Sequence, residues 1–251
     1  MSGHSKWSTI KHRKGAQDAK RSKIFTKIIK EITVATKMGG PDQMSNPRLR
    51  TAILWAKSEN MPGDNIQRAI KKGSGADESS NYEEILYEGF GPGNIAVLVE
   101  CLTDNRKRTV SSIRTIFNKN HANLGAANSV QYLFDRKGRI NIDRDKVNEE
   151  KLTEVAIEGG ADDIITDNEE YFSILTEFSD LHAVSDFIEK AGIEIHESKP
   201  DLVPKSLTVI EDMKTAEQII KLIDALEDDD DVQKTYTNFE ISAEIANELN
   251  G

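Results

Sequence analysis

The stretch Gln17–Met38, QDAKRSKIFTKIIKEITVATKM, decides how this chain opens. Phe25, Ile28, Ile29, Ile32, Ala35 and Thr36 recur at three- and four-residue spacing, which makes one apolar stripe along a helix. At about 100° per residue, Lys20, Lys23, Lys27, Lys30 and Lys37 fall within a sector of about 100° on the opposite side. One face packs, and the other is expected to be a solvated row of ammonium groups. Arg21 falls beside the stripe, where its stem can run around the edge. On this reading, neutralising Lys20, Lys23, Lys27 and Lys30 spares the fold, whereas Phe25→Ala costs about 3–5 kcal/mol if the ring is fully buried. Gly39-Gly40-Pro41 ends the helix.

Downstream, Asn46 is a natural N-cap with Pro47 at the first helical position. Leu49, Ala52, Ile53 and Ala56 form the inner face of this second helix, with Arg48 and Arg50 near its start. It stops at Asn60, and Pro62 opens a third helix through Ile66, Ala69 and Ile70, which also carries Arg68. Gly73 reads as its C-cap, and Lys71 and Lys72 suit the negative end of its dipole. Three amphipathic helices with short turns make a small bundle. Upstream, Met1–Gly15 (MSGHSKWSTIKHRKG) has no helical or strand period; Trp7, His4 and His12 sit among Lys6, Lys11, Arg13 and Lys14. Aromatics among cations suit nucleic acid, since a ring can stack on a base while the cations hold phosphates. Docking of Trp7 on a domain core is the other reading of the same arm.

Charge divides the chain. Residues 1–75 carry 16 Lys and Arg against 5 Asp and Glu, a net of +11, and the remainder carries 17 against 38, a net of −21. A basic block attracts phosphate backbones and the acidic remainder is repelled by them, so the N-terminal end should face a polyanion. The plainer alternative is a lysine-rich helical domain whose charge serves solubility. On the polyanion reading the candidate contacts are Lys6, Trp7, Lys11, His12, Arg13, Lys14, Lys20, Arg21, Lys23, Lys27, Lys30, Arg48, Arg50, Arg68, Lys71 and Lys72.

From Tyr82 the texture changes. Glu84–Tyr87 and Ile95–Leu102 read as strands of a hairpin joined through Gly89–Asn94, a glycine-rich loop without the lysine of a phosphate cradle. A helix over Thr109–Asn120 follows Arg106-Lys107-Arg108, which could hold phosphate or pair with nearby carboxylates. Val130–Phe134 and Arg139–Ile142 suggest a hairpin turning at Arg136-Lys137-Gly138. Then come a helix near 149–158, strands near 163–166 and 171–175, a helix over 181–191 and a strand at Ile193–Ile195. That β-α-β-β-α-β order is ferredoxin-like. A helix from Thr215, with Thr215 and Gln218 as a capping box, and a strand from Val232 close the chain. The fold class is α+β: a three-helix domain over 1–80, a discontinuous α+β domain over 81–129 plus 205–251, and an inserted ferredoxin-like domain over 130–204.

No catalytic constellation stands out. The five histidines show no metal-ligand spacing, and no metal or cofactor is expected. Asp228–Asp231 lacks the alternation and glycine of a calcium loop and reads as a solvated turn. The single cysteine, Cys101, lies in an apolar run, excludes an internal disulfide and fits a reducing cytoplasm. No apolar run is long enough to span a membrane. A metal-dependent nuclease is the remote enzymatic alternative, and plasmid with Mg²⁺ or Mn²⁺ tests it.

Four segments carry a resemblance: GHSKWSTIKHRKGAQDAKRSKIFTKIIKEI (Gly3–Ile32), NPRLRTAI (Asn46–Ile53), NMPGDNIQRAIKKG (Asn60–Gly73) and YEGFGPGNIAVLVECLTDNRKRT (Tyr87–Thr109). Together they resemble the YebC/PmpR family over essentially the whole chain. His121-Ala122 and Asn128-Ser129 depart from the Gly-Gly and Gly-Ser usual at those places, which bears on the turn geometry there. The resemblance implies three domains, the third inserted in the second, and a non-enzymatic, cytoplasmic, DNA-binding transcriptional regulator. Similarity to mitochondrial translation activators implies an alternative, a factor that places the basic domain on ribosomal RNA.

Overall fold

The computed structural model describes residues 17–75, 82–168, 170–242 and 245, the side chains of 17–21 excepted. The chain forms two compact units, one of Gly15–Ser129 with Glu217–Thr235, the other of Val130–Ala216 with the residues from Tyr236 onward.

The first unit begins with three helices, α1 (Gln17–Gly39), α2 (Pro47–Ser58) and α3 (Gly63–Ser74). Ile28, Ile32 and Ala35 meet Leu49, Ala52, Ile53, Ala56, Ile66 and Ala69 in one core. Asn46 caps α2 as its sequence position implies, accepting from the Leu49 N–H at 3.1 Å. Its side-chain amide also donates to the Ala35 and Gly40 carbonyls, so one buried residue ends α1 and starts α2. Phe25 only borders this core, half-buried, so its truncation costs less than the full-burial value. Gly73 is not the C-cap, because α3 continues to Ser74. A Cβ at Gly73 would stand 2.4 Å from the Thr33 carbonyl oxygen and 2.7 Å from Thr36 Cβ. The glycine allows α1 and α3 to approach closely.

The sheet of this unit has the order β3-β1-β2-β9, from β1 (Glu83–Phe90), β2 (Ala96–Thr103), β3 (Asn123–Leu124) and β9 (Val232–Thr237). β1 and β2 form the antiparallel hairpin read from sequence, in register Glu83↔Thr103 to Phe90↔Ala96. A 3₁₀ turn over Pro92–Asn94 joins them, with Gly93 at φ 70°. α4 (Arg106–Lys119) buries Ile113 and Phe117, and Asn105 caps it by accepting from the Arg108 N–H at 3.1 Å.

In the second unit β4 (Phe134–Asp143), α5 (Glu149–Glu158), β5 (Asp163–Ile165), β6 (Tyr171–Glu177), α6 (Leu181–Lys190) and β7 (Glu197–Pro204) follow the β-α-β-β-α-β order. The sheet is antiparallel throughout in the order β5-β6-β4-β7, and Ile140, Ile142, Phe172 and Ile174 pack on Leu152, Ala156, Val184 and Ile188 of the helices. A parallel pair, β8 (Thr208–Ile210) and β10 (Phe239–Ile241), completes it, and α7 (Met213–Glu227) runs on into the first unit.

Three local readings are overturned here. No hairpin turns at Arg136–Gly138, because β4 runs straight through and is paired on both edges. Gly138 is there for packing, since a Cβ would meet Thr176 Oγ1 at 2.4 Å and Leu181 Cβ at 2.8 Å. The expected strand at Ile193–Ile195 lies instead at Glu197–Pro204. Its Pro200 and Pro204 argue against a strand by composition, but β7 is at the sheet edge, where a missing N–H is tolerated. Finally, α7 begins before Thr215, whose N–H is held by Asp212 Oδ1 at 2.8 Å, so Asp212 supplies the cap.

Four helices end the same way. Asn60, His121, Gly160 and Gly192 take positive φ, and the next residue donates its N–H back to Ala56, Phe117, Ala156 and Ile188 at 2.8–3.3 Å. This is the Schellman arrangement, in which the left-handed position favours glycine. His121 (φ 57°) and Asn128 (φ 64°) thus keep a left-handed backbone where the family pattern has glycine. His121→Gly is expected to raise the unfolding free energy by up to about 1 kcal/mol, read as a higher urea midpoint at unchanged slope.

Candidate nucleic-acid interface

The amphipathic period of α1 places its lysines opposite the bundle core; Lys37 is exposed there, but Lys23, Lys27 and Lys30 meet another part of the chain. Lys27 is only 8% exposed, and its Nζ donates to the Glu227 carbonyl at 2.6 Å. Lys30 Nζ donates to the Asp230 carbonyl at 2.6 Å and to Asp231 Oδ1 at 2.7 Å. Lys23 Nζ lies 3.3 Å from Asp228 Oδ1. The turn between α7 and β9 is therefore a carboxylate and carbonyl seat for Lys23, Lys27 and Lys30, and the solvated-turn reading of Asp228–Asp231 fails at Asp231, which is buried, while Asp228 and Asp230 are exposed.

Asp231 is the hub of that seat. Besides Lys30 it accepts from Arg108 Nη2 at 2.9 Å and Thr109 Oγ1 at 2.8 Å, and it is buried. Burial alone would raise its carboxyl, but hydrogen bonds from Lys30, Arg108 and Thr109 outweigh it and hold the group below the usual carboxylate range. Arg108 also reaches Asp104 at 2.8 Å, so of the Arg106–Arg108 cluster one member pairs while Arg106 and Lys107 stay exposed. Arg48 forks onto Glu31 at 2.6 and 3.0 Å and also contacts Glu84. The Glu31 hydrogen bonds lead in holding its guanidinium above the ordinary value.

Helix α3 presents a different surface. With Ile66, Ala69 and Gly73 buried, Arg68, Lys71 and Lys72 fall within about 100° on its outer side, all exposed. Arg68 donates to the Asp64 carbonyl at 3.2 Å and to the Asn65 side-chain oxygen, both uncharged acceptors. Lys72 Nζ stands 5.9 Å from the Tyr82 ring centre. Between α1 and α3 an open groove of about 200 Å³ is lined by Ile29, Asn65, Arg68, Ala69 and Lys72. On α2, Arg50 and Lys57 are exposed on one side.

Of the residues expected from sequence, Arg68 and Lys72 are brought together at the groove, with Lys71 beside them and Arg50 exposed on α2. Lys23, Lys27, Lys30 and Arg48 are engaged internally. Lys6, Trp7, Lys11, His12, Arg13 and Lys14 lie outside the described residues, as do the side chains of Lys20 and Arg21. Sequence reasoning missed Lys57, legible at seven residues from Arg50, and Asn65 and Tyr82, for which it offers no signal. Among the described residues no cluster of three or more His, Cys, Asp or Glu could hold a metal ion, and no helix is long and apolar enough to cross a membrane. Cys101 is buried, which pushes its thiol up and away from reactivity.

Residues 5–76 match the model of the TACO1/YebC protein N-terminal domain, and residues 82–239 match that of the TACO1/YebC second and third domain. The chain belongs to the TACO1/YebC family. Among TACO1/YebC relatives, a protein of Desulforapulum autotrophicum is 54% identical over 245 residues, 98% of each chain. One of Geobacter sulfurreducens is 54% identical over 249 residues, 99% of this chain and 100% of that one. Both are named probable transcriptional regulatory proteins. The crystal structure of a conserved hypothetical protein from Aquifex aeolicus, 49% identical, superposes with a TM-score of 0.85 over 95% of this chain and 98% of that one.

Proposed function

We propose that this TACO1/YebC protein is a nucleic-acid-binding regulator, not an enzyme, and that it contacts phosphates through the outer side of α3 with help from the N-terminal arm. The observation that carries the reading is the contrast between the two lysine surfaces. Lys30 is paired with the buried Asp231, Lys27 is itself buried with its ammonium on the Glu227 carbonyl and Lys23 lies against Asp228, whereas Arg68, Lys71 and Lys72 stand exposed and pair with no carboxylate among the described residues. Cations of the second kind can meet phosphate without first losing an ion-pair partner. The names of the relatives make duplex DNA the first ligand to test. RNA is the second reading, favoured by the groove beside Arg68, because unpaired bases are what such a recess can take.

The test is Arg68→Gln/Lys71→Gln/Lys72→Gln in the full chain. These exposed positions lie outside the bundle core, so thermal stability should hold. Affinity should fall across all sequences. The slope of log affinity against log salt should shrink by about one for each phosphate that the variant no longer neutralises. Wild-type affinity with an unchanged salt slope would remove α3 as the binding surface.

A further inference from the structure

We propose that the groove between α1 and α3 seats one unpaired nucleobase of a single-stranded nucleic acid, with the flanking phosphates on Arg68 and Lys72. This rests on the nucleic-acid reading above and specifies the unit recognised. The recess is about 200 Å³, below the range of roughly 300–1,000 Å³ that holds drug-sized ligands, so it suits one ring system. Ile29, half-buried, supplies the apolar surface for the face of a base, over a floor at Ala69, which belongs to the bundle core. Asn65 supplies an amide beside them, whose oxygen already accepts from Arg68 and whose NH2 group is the donor for an acceptor on a base edge.

The two cations at its rim are set in advance. Arg68 spends Nε on the Asp64 carbonyl and Nη2 on Asn65, which fixes the guanidinium plane and leaves Nη1 for a phosphate oxygen. Lys72 is stationed near Tyr82, and neither cation pairs with a carboxylate among the described residues. A phosphate therefore displaces water at the groove, whereas at Lys30 it would have to displace Asp231. A base in a duplex is stacked, and extruding it costs a few kcal/mol. An open groove of this size rewards a base that is already unpaired. Single-stranded RNA and single-stranded DNA share that chemistry.

The experiment measures fluorescence anisotropy of the full-length protein with short labelled probes: an RNA strand, a DNA strand, the duplex of the same sequence, and a DNA strand of abasic sites that keeps the phosphates. Base-bearing single strands should bind roughly tenfold tighter than the duplex and the abasic strand, a difference of about 1.4 kcal/mol. Tighter binding of either the RNA or the DNA strand carries the proposal and names the polymer. Asn65→Trp, which fills the groove, should reduce the base-bearing strands to the abasic level. Gln67→Trp, exposed on the same helix outside the groove, should leave the preference intact. Equal binding of abasic and base-bearing strands, or a duplex bound as tightly as they are, overturns the seat alone. Failure of every probe to bind overturns the nucleic-acid reading with it.

Discussion

Asp231→Ala is expected to lower the unfolding free energy by about 3–5 kcal/mol, the effect of stripping a buried charge of its partner. The Lys30 side chain is 12% exposed and that of Asp231 6%, so the ammonium left behind keeps the Asp230 carbonyl but has little access to water. Thr109 Oγ1 loses an acceptor as well, and Arg108 is left with Asp104. Acid should erase the difference. The Asp231 carboxyl is depressed in the folded state by Lys30, Arg108 and Thr109 despite its burial. A depressed carboxyl contributes stability above its unfolded value of about 3.9 and loses it as pH falls through the folded value. Urea melts should thus show a constant gap between wild type and variant from about pH 7 to about 5, closing below about 4. A gap of under about 1 kcal/mol at neutral pH would mean that the hub is a surface pair.

Gly73→Ala is the second large effect, and its sign opposes the local rule. Helix propensity alone favours alanine by about 0.8–1.0 kcal/mol. The new methyl would stand 2.4 Å from the Thr33 carbonyl oxygen, a backbone atom that cannot swing away, so α3 has to shift off α1. Overpacking of this kind costs about 1–3 kcal/mol. The expected outcome is net destabilisation in urea melts, together with weaker nucleic-acid binding, since α1 and α3 are the two walls of the groove. Gly63→Ala is the control, because nothing lies within 4 Å of a Cβ there and stability should be unchanged or higher. If both substitutions stabilise alike, the close approach does not constrain the bundle.

Much of the architecture is legible in the sequence because it is written in local signals. The Leu49, Ala52, Ile53 and Ala56 spacing, the Asn46-Pro47 start and the apolar run Ile95–Leu102 behind the glycine-rich loop each act over a few residues. What escapes depends on partners distant in sequence. Periodicity shows which side of α1 meets its own bundle, but not that a second surface covers the other side. The complementary run Asp228–Asp231 is in plain view, yet nothing in a charge count pairs it with residues 23–30. The glycines at 73 and 138 read as punctuation, whereas they are points of close approach whose neighbours arrive from elsewhere in the chain. For β7, prolines outweigh the edge position that makes them tolerable. Among the candidate binding residues, side-chain type is readable, but the division into spent and exposed cations is not.

The separation between Lys27 and the Glu227 carbonyl is 200 residues. During synthesis the first three helices therefore leave the ribosome long before the seat for their lysines exists. At about 5–20 residues per second, the delay is on the order of ten to forty seconds. For that interval the nascent bundle carries Lys23, Lys27 and Lys30 uncovered, and its affinity for polyanions is that of a more basic protein than the finished one. A chain truncated before Glu227 stays in that condition permanently.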